Sequence, residues 1–417
     1  MKKWFLSTYF EEIAIKRLSS VESNLEKSNQ HEINGVTALI KMFWKAEMDK
    51  KVIPATFLYV SDSEGSFESI DGELTRYDSR AKHPTRTEHR LYYPRNNVTE
   101  KIAENDVLII AKQPTWNVLF LCVQSESFIE SQILRLFDAE RVSKNFQVIE
   151  ISHDDKKIDF VTRFILEEIG IQINDVDETG LEKMIKEFWE EFPSTKSFSK
   201  FAREFTVQPI DPLKDPDSTI LLWMEQEELL FRTFERFLIN RKLKSGENSI
   251  FNSVWELVSI DNFFQFSLSC QNRRKARVGQ ALENHLEELF RKHGILFSRW
   301  GTTEWNSKPD FIFPSIEYYH DVTGKVDCLT MLAAKTTCKD RWRQVLAEAN
   351  KINNKHLFTL QPSITENQTD EMRQNGLQLV VPKDLKKTYK ASQQSRLMTL
   401  WEFISLVKER EKSIILI

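Results

Sequence analysis

Three residues in the second half of the chain have the types and spacing of a site that could hydrolyse phosphodiesters. Asp310 follows Pro309 and opens a short apolar segment, Lys335 comes 25 residues later, and Glu348 comes 13 residues after that. Carboxylates hold hard divalent cations, and such a cation lowers the pKa of its bound water. A lysine can stabilise the developing negative charge or orient the attacking water. The alternative is three ordinary residues (a turn aspartate, an edge-strand lysine and a surface glutamate), because the pattern is loose.

The neighbouring sequence predicts the elements that must bring these side chains together. Lys335 alternates with Ala333 and Met331 along an apolar strand, where a lysine is rarely buried unless it is paired. A helix is predicted from about residue 340 through RWRQVLAEANKI, and this helix would carry Glu348. Two strand-like segments, HLFTL and LQLVV, come after it. The alternation of helices and strands in this half is typical of an α/β domain.

The first part of the chain has a different character. Short runs of β-branched and aromatic residues (VIPATFLYV, RLYY, DVLIIA and NVLFLCV) are separated by turn-forming clusters, which predicts a small barrel or sandwich. At least one helix, around TALIKMFWKA, interrupts these strands. From Glu167 to Glu191, nine acidic residues stand against two lysines, a net charge of −7. The polar centre of this acidic segment predicts a linker. For the parts on either side of that centre, a solvated helix face is the competing interpretation.

One segment of the second half resembles a known enzyme family. Residues 335–344 read KTTCKDRWRQ, which resembles the catalytic segment of the EcoRII-type (type IIE) restriction endonucleases. The motifs NRRKARVGQALENHLEELF, KPDFIFP, YYHD and LMTLWEFI fit the same family, so that the resemblance covers about residues 210–417. It extends more weakly to FEEIAIKRLSS, the Gln30–His31 pair and RYDSRAKHPTRTEHR in the first half.

The resemblance implies a fold, domain bounds and a function. Residues 1–171 are expected to form a mainly β, B3-like pseudobarrel that binds effector DNA, and residues 181–417 an α/β restriction-endonuclease-like core of the PD-(D/E)xK class. Residues 172–180 would be the linker. The implied function is a type II restriction endonuclease that hydrolyses both strands of DNA. The alternatives are a DNA-binding regulator with an inactive core and a related nuclease of repair or modification-dependent restriction.

The resemblance also implies a rearranged site. The usual core has an acid two residues before the lysine, but that position is Ala333 here. The family supplies the missing carboxylate from the following helix, which makes Asp310 and Glu348 the expected Mg2+ ligands and Lys335 the catalytic lysine. Glu283 matches a further acidic residue of the site. Its alternative interpretation is a solvated helix face.

The residues after Lys335 have the chemistry to read C·G pairs. Arginine pairs bidentately with guanine O6 and N7, and aspartate accepts a hydrogen bond from cytosine N4. Asp340, Arg341 and Arg343 are therefore the expected readers, with Lys339 beside them, and KDRWR implies a CC…GG site, expected to be CCWGG. Phosphate contact is the other interpretation of these arginines. Phosphate contacts are expected from the basic cluster Arg273, Arg274, Lys275 and Arg277.

A second basic segment lies in the first half. Residues 76–97 hold six lysine or arginine residues against two acidic ones, with tyrosines between them, which suits DNA binding. A solubilising charged face is the alternative. On the family resemblance, the expected contacts with effector DNA are His31, Arg80, Lys82, Arg86, Glu88, Arg90 and Arg95.

Composition excludes several other classes of protein. Neither GxxxxGK[ST] nor GxGxxG occurs, so the sequence lacks the common phosphate-binding loops. The four cysteines are scattered, and no CxxC pair indicates zinc. The net charge of −4 alone argues mildly against a nucleic-acid partner. The acidic segment 167–191 alone carries −7, so the rest of the chain sums to +3 and a DNA partner is compatible with the total.

The expected setting and partners follow from the same features. No apolar run approaches the ~20 residues of a membrane span, and the N-terminal apolar stretch is too short for a signal peptide. We therefore expect a cytoplasmic, prokaryotic protein without a membrane partner. The expected partner is double-stranded DNA in two site copies, and a near-palindromic site implies a homodimer. The family also implies a DNA cytosine methyltransferase that acts on the same site without necessarily binding this chain.

Overall fold

The computed structural model divides the chain into two compact units, Met1–Ile173 and Asn174–Ile417. The residues that the structure describes are 5–23, 31–34, 36–43, 50–62, 68–83, 85–114, 117–139, 141–152, 158, 162–163, 165–166, 169, 171, 178–188, 192–206, 210–244, 257–321, 326–338 and 341–415. The division falls within the predicted linker, of which residues 172–177 lie outside the described residues and 178–180 begin a helix. The predicted domain bounds stay a prediction.

The first unit is mainly β. Its strands are β1 (Glu12–Arg17), β2 (Glu32–Ile33), β3 (Lys50–Val60), β4 (Glu68–Asp78), β5 (His89–Tyr92), β6 (Val107–Lys112), β7 (Val118–Val123) and β8 (Gln147–Glu150). Its helices are α1 (Ser20–Ser23), α2 (Leu39–Phe43) and α3 (Phe128–Leu136), with 3-10 turns at Leu6–Thr8, Val36–Ala38 and Thr99–Lys101. The strands form one sheet in the order β2-β5-β4-β3-β7-β6-β1-β8, and of these pairs β3 and β7 run parallel while the others are antiparallel.

Strand β6 shows why this sheet carries a core on both faces. Successive side chains of a strand point to opposite faces. Val107, Ile109 and Ala111 belong to one buried cluster, and Leu108 and Ile110 belong to another. Such a strand must be apolar throughout, as DVLIIA is. A mainly β first unit is thereby confirmed, and its B3-like identity stays a prediction.

The second unit is α/β, as predicted. Its strands are β9 (Ser298–Arg299), β10 (Phe311–Phe313), β11 (Thr330–Lys335), β12 (Lys355–Thr359) and β13 (Leu377–Val380). Its helices are α4 (Glu178–Phe188), α5 (Thr195–Phe205), α6 (Pro216–Lys244), α7 (Leu257–Lys292), α8 (Ile316–His320), α9 (Trp342–Val345), α10 (Glu366–Gln374), α11 (Lys383–Lys386), α12 (Ala391–Gln394) and α13 (Leu400–Ile415), with 3-10 turns at Glu304–Asn306 and Val326–Cys328. The sheet order is β13-β12-β11-β10-β9. Strands β11, β12 and β13 are parallel, and β10 is antiparallel to both of its neighbours.

Asp217 in helix α6 forms hydrogen bonds with the starts of helices α11 and α13. Its buried carboxylate accepts hydrogen bonds from the backbone N–H groups of Lys383, Leu400 and Trp401, at 2.9–3.0 Å. The first turn of helix α13 is thereby satisfied by an acid from another helix. Among the described helices, none has both the length and the apolar character of a membrane span.

Candidate active site

Asp310 and Lys335 meet at one edge of the second sheet. Asp310 stands directly before β10, and β10 pairs with β11 so that Phe311 lies opposite Leu332. This register brings the Asp310 carboxylate to the end of β11. Its Oδ2 accepts hydrogen bonds from the Ala334 N–H at 2.7 Å and from Lys335 Nζ at 2.8 Å. The aspartate is buried, and these two bonds fix its orientation.

The environment of Lys335 explains how a lysine is tolerated at the end of an apolar strand. The five preceding residues of β11 are buried, whereas the Lys335 side chain keeps about a fifth of its surface exposed. Its ion pair with Asp310 offsets the loss of hydration, as partly buried charges require. The ammonium group is therefore both held in the site and open to a solvent-side ligand.

The structure corrects the predicted helix around Glu348. Helix α9 is one turn, Trp342–Val345, and the N–H groups of Leu346, Ala347 and Glu348 then bond the carbonyl three residues earlier. Ala349 has a φ of +47°, which alanine rarely adopts, so the chain leaves the helix here. Glu348 thus lies in a turn after the helix. The local sequence contains no glycine or proline that predicts this end.

Glu348 nevertheless interacts electrostatically with Asp310 and Lys335. Burial raises the pKa of its carboxyl to about 7, the nearby charge of Lys335 lowers it, and that of Asp310 raises it. Within the described part of the chain, Glu348 Oε2 is buried without a hydrogen-bond partner. A divalent cation bound beside this oxygen would further stabilise the charged form of the half-buried Glu348 carboxyl.

Glu283 lies at the border of the same site. It projects from α7 and accepts hydrogen bonds from Arg299 Nη2 at 2.8 Å and from Trp300 Nε1 at 3.0 Å. Burial raises the pKa of Glu283, and the neighbouring charge of Asp310 raises it further. Glu287 on the same helix is buried and also binds Arg299. The two glutamates therefore share Arg299, whose side chain is only 9% exposed, and do not form a solvated face.

The donor set fits a divalent cation held by two carboxylates. In the described part of the chain, no three His, Cys, Asp or Glu side chains are grouped closely enough to hold a metal by themselves. Mg2+ commonly binds through one or two carboxylates and completes its shell with water and substrate phosphates. Asp310 and Glu348 offer that pair, with an unbonded buried oxygen on Glu348. These residues could hold such an ion with water as the further ligands, and a substrate phosphate would replace some of that water.

The predicted base-reading segment is only partly described. Lys339 and Asp340 lie outside the described residues. Arg341 and Arg343 are exposed beside the site, and the Arg343 guanidinium lies 4.7 Å from the centre of the buried Trp342 ring. Arg343 Nη2 also donates to the Glu371 carboxylate at 3.0 and 3.1 Å. Both arginines are accessible, and their role in base reading stays a prediction.

The predicted phosphate contacts on α7 have partners within the protein. Arg274 pairs at 2.6 Å with the fully buried Glu235. The Arg277 guanidinium lies 5.1–5.4 Å from three phenylalanine rings and donates to a backbone carbonyl at 3.1 Å. The side chain of Arg273 is not described. These placements do not favour phosphate contact by Arg274 and Arg277, and their DNA binding stays a prediction.

The predicted effector residues of the first unit surround the hairpin of β4 and β5. Arg90 joins Glu32 at 2.6 Å and Glu88 at 3.0 Å, and Arg80 pairs with Glu88 at 2.7 Å. His31 lies beside the ring of Tyr92. Lys82 and Arg86 are exposed in the loop of this hairpin. Arg95 is also exposed and pairs with Glu100. Their DNA contacts stay a prediction.

Comparison with known proteins relates part of the second unit to a known family. Residues 231–404 match the protein-family model described as EcoRII C terminal. The matched region includes all four predicted site residues, Glu283, Asp310, Lys335 and Glu348.

One curated protein and several solved structures are similar to part of this chain. The type II restriction enzyme EcoRII of Escherichia coli is 43% identical over 215 residues, which are 51% of this chain and 50% of that enzyme. The chain thus spans about half of the length of this curated relative. Two solved structures show a more distant likeness. Metal-depleted Ecl18kI in complex with uncleaved DNA is 20% identical, with a TM-score of 0.43, over 56% of this chain and 84% of that one. The complex of restriction endonuclease PspGI with substrate DNA is 14% identical, with a TM-score of 0.38, over 60% and 95%.

Some residues of the site were not predicted from the sequence. Arg299 and Trp300 bind Glu283, and Lys355 interacts with Glu348. Arg299 lies in a two-residue strand that has no sequence signal of its own. Lys355 gave a weak signal, because a lysine opens the strand-like run HLFTL and is buried there.

Proposed function

We propose that this protein is a type II restriction endonuclease that hydrolyses both strands of double-stranded DNA, with Mg2+ as its cofactor. One observation carries the proposal: within the region that matches the EcoRII C-terminal family model, the two carboxylates and the lysine required for phosphodiester hydrolysis come together at one edge of the sheet. The pairing of Asp310 with Lys335 and the unbonded oxygen of Glu348 favour an intact site over an inactive regulator.

The residues have separate roles in this reaction. Asp310 and Glu348 would hold Mg2+, which when bound neutralises phosphate charge and acidifies a coordinated water. Lys335 Nζ, already 2.8 Å from Asp310, orients the attacking water and stabilises the negative charge that grows on the phosphate. Glu283 adds a further carboxylate, held in place by Arg299. The products would carry 5′-phosphate and 3′-hydroxyl ends, with staggered cuts.

Sequence recognition is assigned to the segment that follows Lys335. We propose that Asp340, Arg341 and Arg343 read the C·G pairs of a CC…GG site, expected to be CCWGG, and that Lys339 assists them. A near-palindromic site needs two active sites related by a two-fold axis, so the active form would be a homodimer. A cytosine methyltransferase acting on the same sequence would protect the host DNA.

The nuclease proposal is tested with plasmid DNA that carries CCWGG sites. With Mg2+ the protein should cut the plasmid into the fragments that its CCWGG sites define, and with EDTA it should bind without cutting. Retained specific binding with no cutting in Mg2+ would instead support a regulator with an inactive core.

We further propose that the first unit binds a second copy of the site as effector and restrains the second unit until that copy is bound. The basic hairpin of β4 and β5, with exposed Lys82 and Arg86, supports this role. A folded fragment that lacks residues 1–173 should therefore cut single-site DNA faster than the full chain. The rate is measured on one-site and two-site plasmids. An equal or lower rate for the folded fragment would contradict the restraint.

A further inference from the structure

The turn that carries Glu348 is held on its N-terminal side by a buried lysine. Lys355, the first residue of β12, donates from Nζ to the Leu346 carbonyl at 2.5 Å. Its side chain is buried, so this hydrogen bond does not compete with bulk water. Burial lowers the pKa of Lys355, and the nearby carboxylates of Glu348 and Glu304 act in the opposite direction.

The same turn is held on its C-terminal side by a tyrosine and a glutamate. Glu304 Oε2 accepts hydrogen bonds from the Asn350 N–H at 3.2 Å and from the Tyr319 hydroxyl at 2.5 Å. The Tyr319 hydroxyl accepts in turn from the Lys351 N–H at 3.2 Å. Tyr319 is fully buried. Two backbone N–H groups directly after Ala349 are thus fixed by side chains that come from outside the turn.

These bonds matter because the turn has little stability of its own. Helix α9 is a single turn, and an isolated helix of this length is unstable in water. The left-handed Ala349 adds backbone strain. In addition, the Glu348 Oε2 atom has no hydrogen-bond partner among the described residues, so this atom does not hold the turn in place. Without external bonds the turn would relax and carry Glu348 away from Asp310.

We propose that Lys355, Tyr319 and Glu304 are positioning residues that clamp the 346–351 turn and thereby keep the Glu348 carboxylate beside Asp310. None of the three needs to touch the substrate. The inference rests on the proposed nuclease function for its catalytic consequence, but the clamp itself is a property of the free protein. Groups that orient metal-binding side chains typically change metal affinity or activity by about 10–100-fold when they are removed.

The first readout is hydrogen–deuterium exchange of the free full-length protein without metal. Tyr319→Phe removes one hydroxyl, and Lys355→Met removes the donor to Leu346 while keeping a similar volume. Both should increase exchange in residues 344–352 by about tenfold or more, because each opens one side of the clamp. The matched control is Glu411→Ala, since Glu411 also binds a backbone N–H, that of Leu296, at 2.8 Å. This control should increase exchange near Leu296 and leave residues 344–352 unchanged.

The second readout separates positioning from general stability. In Tyr319→Phe, the Mg2+ concentration for half-maximal cleavage should increase by about tenfold, whereas DNA affinity in EDTA should stay within about twofold. Glu304→Ala should have the same effect. Glu304→Gln keeps an acceptor for Asn350 and should recover most of the wild-type metal dependence. Binding of Mn2+ to the free protein is followed by electron paramagnetic resonance. It should be weaker in Tyr319→Phe and Glu304→Ala than in the wild type, and close to the wild type in Glu304→Gln.

The outcomes for the clamp and for the nuclease are distinguishable. A wild-type protein that cuts no DNA would refute the proposed function, while exchange and Mn2+ binding would still decide on the clamp. Unchanged exchange in residues 344–352, or increased exchange with wild-type Mn2+ affinity, would overturn the clamp even if the wild-type protein cuts DNA.

Discussion

Replacing Lys335 with alanine is expected to reduce DNA cleavage by about a thousandfold or more while DNA binding is preserved. The Lys335 ammonium group lies 2.8 Å from Asp310 Oδ2, and its charge lowers the pKa of Glu348. Its removal takes away the group that orients the water and stabilises the phosphate charge. Single-turnover cleavage of a CCWGG duplex in Mg2+ measures the loss, and gel shifts in EDTA measure binding.

A second lysine–aspartate pair provides the control for this variant. Lys387 Nζ lies 2.6 Å from Asp384 Oδ1 on the same unit, and both side chains are largely exposed. Lys387→Ala should leave cleavage and binding unchanged, since exposed pairs contribute little. If Lys335→Ala cut DNA at a rate near that of wild type, the mechanism proposed for this site would be wrong.

Replacing Glu348 with glutamine is expected to abolish cleavage and also to stabilise the free protein at alkaline pH. The first effect follows from the loss of a metal ligand. The second follows from burial, which raises the pKa of Glu348 to about 7. Because the folded state holds this proton more tightly than the unfolded state, the contribution of Glu348 to stability falls as the pH rises from about 4.5 to about 7.

The size and sign of this stability effect can be measured directly. A pKa change of one unit is worth about 1.4 kcal/mol, so the ionised, partly exposed Glu348 should cost roughly 1–3 kcal/mol above pH 7. In EDTA, Glu348→Gln should therefore have the higher free energy of unfolding at pH 8, with little difference at pH 4.5. Urea unfolding at both pH values gives the comparison. Added Mg2+ should stabilise the wild type more than the variant.

Glu411→Gln is the matched control for the glutamine variant. Burial also raises the pKa of Glu411, but its carboxylate binds the Leu296 N–H. This change should leave cleavage intact. Equal stability of wild type and Glu348→Gln at pH 8 would contradict the account of Glu348 as a buried acid that requires a cation.

The part of the site that local sequence could predict is the part that lies on strands. Asp310 precedes the apolar run of β10, and Lys335 ends that of β11, so their strand positions followed from sequence alone. The pairing that joins them depends on the register between two strands, which no local pattern fixes. Residue type and spacing grouped Glu348 with this pair but left open that all three are ordinary residues, and the family resemblance then implied its role as a metal ligand.

The elements that were predicted wrongly or missed depend on contacts between distant residues. The helix at Glu348 was predicted too long. No glycine or proline marks its end, and the turn that follows donates hydrogen bonds to Glu304 and Tyr319 and accepts one from Lys355. Arg277 looked like a surface cation in the sequence but lies against phenylalanine rings. Charge patterns along a helix do not indicate which positions a neighbouring helix will cover.

Sequencing of the DNA ends produced in Mg2+ tests the central claim most directly. The substrate is plasmid DNA of known sequence, methylated or unmethylated at CCWGG, with EDTA and Lys335→Ala reactions as controls. We predict staggered ends with 5′-phosphates at unmethylated CC…GG sites and none in either control. Absence of cleavage by the folded protein, or ends that share no sequence, would contradict the assignment of this chain as a site-specific endonuclease.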